Sequence, residues 1–294
     1  MCALQQERIG AFWIISASVA YGLMPIWTVI GQTNGLTTEF ILFFRFGATS
    51  ALLLIFALLK RIPVRLPKAK LLQFLFLGGI LYTIQSFAYL ESLKHIQAAL
   101  SVLLYHIYPV IVTFAALAFF KERIQTKTLL ALALCIIGLI VILQIPHSIT
   151  LNYLGVALSL VGALFYGLYV IFSQSITRDC HSIVASFYVC LFAAFVMLFG
   201  ALYSPFGIPN FLEISLSGII ALLGLTLFST LFAMLAYFLG MPKIGITKTA
   251  ILGMIEPLVA VVLSLWILGE NLSALQYFGA FLILFGSLLL CIRH

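Results

Sequence analysis

The sequence predicts an all-α polytopic membrane protein: ten transmembrane helices, arranged as two inverted five-helix repeats around a central cavity. Three observations carry that prediction. Of 294 residues, 64% are apolar and only 8% are charged, against roughly 45–50% and about 25% in soluble domains. The apolar residues fall into runs of about 20, the length that crosses a hydrocarbon core of about 30 Å. Residues of the first half also recur, in order, in the second. The composition excludes a soluble enzyme, because 15 basic and 8 acidic residues cannot coat a globule of this size. It equally excludes a disordered chain, which needs low hydrophobicity and high charge.

In chain order the spans are expected near 9–32, 37–59, 71–92, 96–119, 128–144, 151–176, 182–204, 214–239, 246–268 and 274–292. Charged residues punctuate them. Arg8 precedes the first, Lys60 to Lys70 separate the second from the third, and Lys94 follows the third. Lys121 to Lys127 separate the fourth from the fifth, Arg178 the sixth from the seventh, and Lys243 and Lys248 the eighth from the ninth. Near the N-terminus, Ser18-Val19-Ala20 mimics a signal-peptidase site. The apolar run continues past it through Pro25 and Trp27 to Ile30, so cleavage is not expected.

Orientation follows from Lys and Arg placement. With the N-terminus in the cytoplasm, 13 of the 15 basic residues lie inside, only Lys94 lies outside, and Arg45 lies within a span. The net charge of +7 therefore reports topology, with some attraction to anionic lipid, and predicts no nucleic-acid partner. Five scattered cysteines show no metal-ligand spacing. A single aspartate, Asp179, excludes aspartate-rich prenyl-transfer motifs and paired-aspartate proteases. No cofactor or metal is expected.

The internal repeat is specific. Pro109, Glu122 and Gly138 have counterparts in Pro257, Glu270 and Gly286, each 148 residues later. Tyr89 and Tyr237, and Ile96 and Ile244, share that offset. Gly10 with Gly155, and Tyr21-Gly22 with Tyr166-Gly167, align at an offset of 145. Five spans per repeat is an odd number, so the second half enters from the opposite face. Inverted repeats are the architecture of many secondary transporters, because two similar halves exchange conformations at similar energy.

The segments from Ala98-Ala99-Leu100 through Pro109, Glu122 and Gly138, and from Thr249 through Glu256-Pro257, Gly269-Glu270 and Gly286, resemble the EamA-type repeat of the drug/metabolite transporter superfamily. The likeness covers nearly the whole chain, with a first repeat at 1–145 and a second at 151–294. It implies ten helices, both termini cytoplasmic, and a cavity between the halves. It also implies peripheral fifth and tenth helices, in agreement with the almost purely aliphatic and aromatic stretches Leu129 to Leu143 and Phe281 to Leu290. Relatives of this kind export amino acids and other small metabolites, and some import nucleotide-like compounds. Glu122 and Glu270 look like the family's repeat-end glutamates, with a structural role.

Ionisable residues inside a bilayer cost about 2.5–3.5 kcal/mol each on insertion scales and mark functional positions. Three stand out: Arg45 in the second span, His106 in the fourth and Glu256 in the ninth. Pro257 removes a backbone donor beside Glu256, and Tyr108-Pro109 occupies the matching place in the other half. Pro25 interrupts the first span. Paired interrupted helices point to a transporter site, where Glu256 would bind a substrate ammonium or carry a coupling proton. Arg45 would either clamp a carboxylate or pair with Glu256. His106 is as easily a packed, hydrogen-bonded imidazole as a proton relay. Tyr82, Gln85, Ser86 and Tyr89 recur at helical spacing and form one polar face. Thr226, Ser229, Thr230 and Tyr237 form a comparable one, with Tyr82 matching Thr230. Tyr166 and Tyr21 would add aromatic walls.

The expected function is secondary or facilitative transport of small metabolites at the inner (plasma) membrane by alternating access, with amino acid export favoured. The alternative is uptake of a nucleoside-like or cationic metabolite such as a sulfonium compound, held in an aromatic cage. An intramembrane enzyme would need a catalytic cluster, and a receptor or scaffold would need soluble loops; the sequence offers neither. The expected partners are a small-molecule substrate, a proton as candidate coupling ion, and the lipid bilayer. The expected assembly is a monomer or homodimer.

Overall fold

A computed structural model describes residues 2–96, 101, 104–120, 125–143, 152–203, 208–209, 213–260 and 274–291. Glu122, Gly269, Glu270 and the Ala98-Ala99-Leu100 segment lie outside the described residues. The described residues contain helices and no strand. In chain order these are α1 (Cys2–Gly22), α2 (Met24–Thr33) and α3 (Thr38–Leu59), then α4 (Lys68–Ser92). They continue with α5 (Tyr108–Phe120), α6 (Thr126–Leu143), α7 (Tyr153–Thr177) and α8 (Ser182–Tyr203). The last are α9 (Leu216–Ile244), α10 (Ile246–Gly253) and α11 (Ala274–Cys291). Among the described residues, six stretches are long and apolar enough to cross a membrane: α1 with α2, α3, α4, α7, α8 and α9. Shorter apolar helices lie in α5, α6 and α11. The chain is a multi-pass membrane protein.

Local chemistry sets the helix starts. Thr37 caps α3 by accepting from the Phe40 N–H at 3.3 Å, with Glu39 in the first turn, where a carboxylate favours the helix dipole. Asn152 caps α7 through Leu154 and Gly155 N–H at 3.0 and 3.4 Å. Ser215 caps α9 through Gly218 N–H at 3.1 Å. Three spans expected as single runs are interrupted, the fourth span by the turn at 106–107. The first breaks at Leu23, with Pro25 in the opening turn of α2. The ninth breaks at Met254, after which residues 255–260 are helical again. Pro257 has no N–H to give the Gly253 carbonyl, so the break falls one turn before it.

Two π-helical segments interrupt α4 at Leu75–Tyr82 and α9 at Leu227–Phe232. In each, a hydroxyl caps a carbonyl five residues back: Thr83 to Gly78 O at 2.8 Å and Thr230 to Leu225 O at 2.7 Å. Such wide turns re-aim the residues that follow and are common at functional sites.

The surface is apolar and the interior holds the polar groups, the reverse of a soluble protein. Phe12, Leu59, Phe114, Phe195 and Phe281 project outward, whereas Arg45, Thr49, Gln85, Ser86 and Glu256 are buried. Helices pair as α1 with the end of α9, the end of α4 with α7, α3 with α8, and α6 with α11. Missing side chains let them close. A Cβ on Gly10 would meet Ile244 Cγ2 at 2.7 Å, and one on Gly155 would meet Ile96 Cγ2 at 2.6 Å. A Cβ on Gly22 would lie 2.9 Å from Glu256 O, and one on Gly167 3.9 Å from Tyr108 O. Gly138 packs on Gly279 and Ile283, and Gly286 on Ala131 and Cys135. Each member of these pairs corresponds to the other at the 145- or 148-residue offset. Small-residue contacts of this kind are the usual basis of helix association in lipid.

Among the described glycines, Gly78 makes the tightest approach to another backbone: an added Cβ would collide with the Val189 carbonyl oxygen and lie 2.8 Å from Val189 Cα. Backbone cannot step aside as a side chain can. Gly78→Val is expected to destabilise the purified protein by about 1–3 kcal/mol, read as a lowered melting temperature. Gly47→Ala, whose Cβ meets nothing nearer than 3.9 Å, should leave it unchanged.

Cys180, between α7 and α8, is part-buried, while Cys135 and Cys190 are fully buried. Burial pushes the Cys180 thiol above its ordinary range; the Lys70 ammonium opposes this and the Asp179 carboxylate adds to it. The thiolate is the nucleophile, so a raised value means less thiolate at neutral pH. In a Cys2→Ser/Cys291→Ser background, maleimide should label Cys180 alone, more slowly than free cysteine at pH 7 and faster as pH rises. Labelling of Cys135 or Cys190 in the folded protein would contradict this packing.

Candidate functional site

Arg45 projects from the middle of α3 and is 2% exposed. Its Nη1 donates to Met24 Sδ at 2.7 Å, just past the break between α1 and α2. Its guanidinium lies 4.5 Å from the Phe46 ring centroid, and its Nε has no hydrogen-bond partner. A thioether is a weak acceptor, so this buried cation keeps unspent donor capacity. Glu256 lies two residues beyond the break at Met254 and is 9% exposed. Both side chains line one cavity. No N···O contact within 4.0 Å joins them.

The polar face of α4 closes the same cavity: Tyr82, Gln85, Ser86 and Tyr89 all line it. Gln85 is fixed at both ends, accepting from Tyr105 OH at 2.8 Å and donating to Ser86 Oγ at 2.6 Å. Tyr105 is a lining residue that the sequence reading missed. Its ring packs 4.3 Å from Tyr89 and stacks 5.5 Å from Tyr166 between centroids. The available signal was its place three residues before Tyr108 in an apolar span. Met24 and Leu90 complete the wall.

A second cavity adjoins the first. Tyr21, Tyr166 and Glu256 line both, so these three side chains form the partition. Ile14, Ala17, Val170 and Tyr237 line only the second, as does Tyr108. The Tyr108 hydroxyl donates to Ala250 O at 3.2 Å. It fills the space a side chain on Gly253 would need, so the absent Cβ lets the two helix breaks touch.

Other candidates sit elsewhere. His106 is buried, with its ring 5.4 Å from Tyr105 and 6.0 Å from Tyr108, and lines neither cavity. Thr230 serves the π segment. Thr226 donates to Leu222 O at 2.7 Å and Ser229 to Ala20 O at 2.9 Å. The polar face of α9 thus satisfies backbone, apart from Tyr237. Of the three prolines, Pro25 and Pro257 flank the breaks at Leu23 and Met254. Pro109 follows the turn at 106–107, at the start of α5.

One solved crystal structure superimposes with a TM-score of 0.80 over 95% of this chain and 97% of the other, at 17% identity; the likeness is one of fold. Over 203 residues the chain is 27% identical to an uncharacterized transporter of Archaeoglobus fulgidus, covering 69% of this chain and 70% of that one. It is 24% identical over 294 residues to an uncharacterized transporter of Clostridium kluyveri, covering 95% and 92%. These names point to a membrane transporter rather than an enzyme. The EamA-like transporter family matches at residues 8–144 and again at 153–292. With nearly its whole length matched twice over, the chain belongs to the EamA-like transporter family.

Proposed function

We propose that this protein is a secondary transporter that carries small zwitterionic metabolites, amino acids or close relatives, out of the cell by alternating access. One observation carries the proposal: a buried guanidinium and a buried carboxylate line one cavity without an ion pair between them. Two ionisable groups at membrane depth without a charged partner are costly. A ligand with a carboxylate for Arg45 and an ammonium for Glu256 answers both, and the guanidinium fork matches a carboxylate bidentately. Gln85, Ser86 and the tyrosines supply shape and hydroxyls.

The proposed architecture has ten helices in two inverted repeats, 1–145 and 151–294, both termini cytoplasmic, in the inner membrane. The matched glycine contacts, the two π segments and the Tyr21/Tyr166 partition support it, because related halves would use related joints. In that scheme the two adjoining cavities are the vestibules of the two faces, and Glu256, facing both, is also placed to carry a coupling proton. The five tyrosines beside Glu256 in the first cavity favour a second substrate class, an organic cation held by aromatic faces and taken up rather than exported.

Proteoliposomes loaded with single labelled amino acids, assayed for efflux and counterflow, test the proposal. Arg45→Gln and Glu256→Gln should each lower affinity for the transported zwitterion by about tenfold or more, the loss of one charge-assisted contact. Transport of a zwitterion at wild-type affinity by both variants would refute it. Flux of sulfonium compounds but of no amino acid would favour the cation alternative.

A further inference from the structure

We propose that the second cavity is a separate binding site for organic monocations with an aromatic or apolar body, and that these amines compete with zwitterions for Glu256. The inference rests on the proposed role of Glu256 as the ammonium partner. Glu256 lines both cavities, but Arg45 lines only the first. Among the described residues no Lys, Arg or His lines the second. A carboxylate entering there would be buried without a counter-charge, which is strongly unfavourable.

Three of the other polar groups discriminate in the same direction. Ser18 donates to Ile14 O at 2.9 Å and Leu252 O at 3.3 Å, Thr249 to Gly245 O at 2.7 Å, and Tyr108 to Ala250 O at 3.2 Å. These hydroxyl protons are spent on backbone and are not free for an anion. Tyr237 differs: it is 5% exposed, its hydroxyl interacts with Ser173 rather than with a backbone carbonyl, and its oxygen keeps a lone pair for an ammonium donor. Ile14, Ala17 and Val170 provide apolar walls, and the faces of Tyr108 and Tyr166 attract a cation.

2-Phenylethylamine and L-phenylalanine share a ring and differ by one carboxylate, so they separate the two sites. Both are titrated against the purified full-length protein, alone and against each other, with the rise in melting temperature as readout. Both ligands are expected to stabilise the wild type and to compete. Arg45→Gln should weaken L-phenylalanine about tenfold and leave the amine within about twofold. Tyr237→Phe should weaken the amine about threefold or more and spare L-phenylalanine. Glu256→Gln should weaken both. Should Arg45→Gln fail to fold, Arg45→Lys keeps the charge and is expected to show the same selectivity. An amine that loses affinity with Arg45 as L-phenylalanine does, ignores Tyr237→Phe, binds without competition, or fails to bind while L-phenylalanine binds, overturns the second site. Amine binding with the expected variants, but no L-phenylalanine effect, leaves the second site standing and removes the zwitterion proposal.

Discussion

A basic and an acidic side chain buried in one cavity without an ion pair between them is the constraint on which the rest of this molecule turns. Each charge costs about 2.5–3.5 kcal/mol to place at membrane depth, and direct pairing would be the simplest relief. Arg45 instead meets a thioether and an aromatic face, and Glu256 stands at a helix break on the partition between two cavities. Holding them apart requires rigid helices on every side. The glycine crossings provide that rigidity: side chains are deleted where backbones must meet, so helices lock at fixed spacing in a solvent that gives no hydrophobic drive to associate.

The irregular backbone lies where the cavities are. Breaks at Leu23 and Met254, the turn at 106–107 and the two π segments interrupt helices around the site. In lipid, free backbone groups must find internal partners. Here Tyr108, Thr83, Thr230 and Ser229 supply hydroxyls to carbonyls near these places. Of these, Tyr108 also lines the second cavity. The two halves are not equivalent there. Glu256 stands where the first half has Tyr108, and Gly253 where it has Tyr105, so charge and bulk are distributed unevenly about the partition.

Much of this was legible in the sequence, and the exceptions have physical causes. The stripe Tyr82, Gln85, Ser86, Tyr89 was readable because polar residues at helical spacing in an apolar span have one sheltered face to occupy. Glu256, Arg45 and the proline breaks were readable because charge and missing donors are expensive in lipid. His106 drew attention for the same reason, yet neighbours on a helix point about 100° apart, and it is Tyr105 that turns into the cavity. Thr230 was chosen as the counterpart of Tyr82, but a hydroxyl on a short side chain serves a π-segment carbonyl and stops short of the cavity. The first π segment carries Gly78, which crosses Val189, a contact between distant parts of the chain that no local pattern encodes.

The most direct measurement is a ligand-free stability cycle with Arg45→Gln, Glu256→Gln and the double variant. Charges held apart for a substrate should act nearly independently, with a coupling energy below about 1 kcal/mol. A coupling of about 3–5 kcal/mol, with the double variant rescuing either single one, is the signature of a buried ion pair and would contradict the claim that the space between them belongs to the substrate.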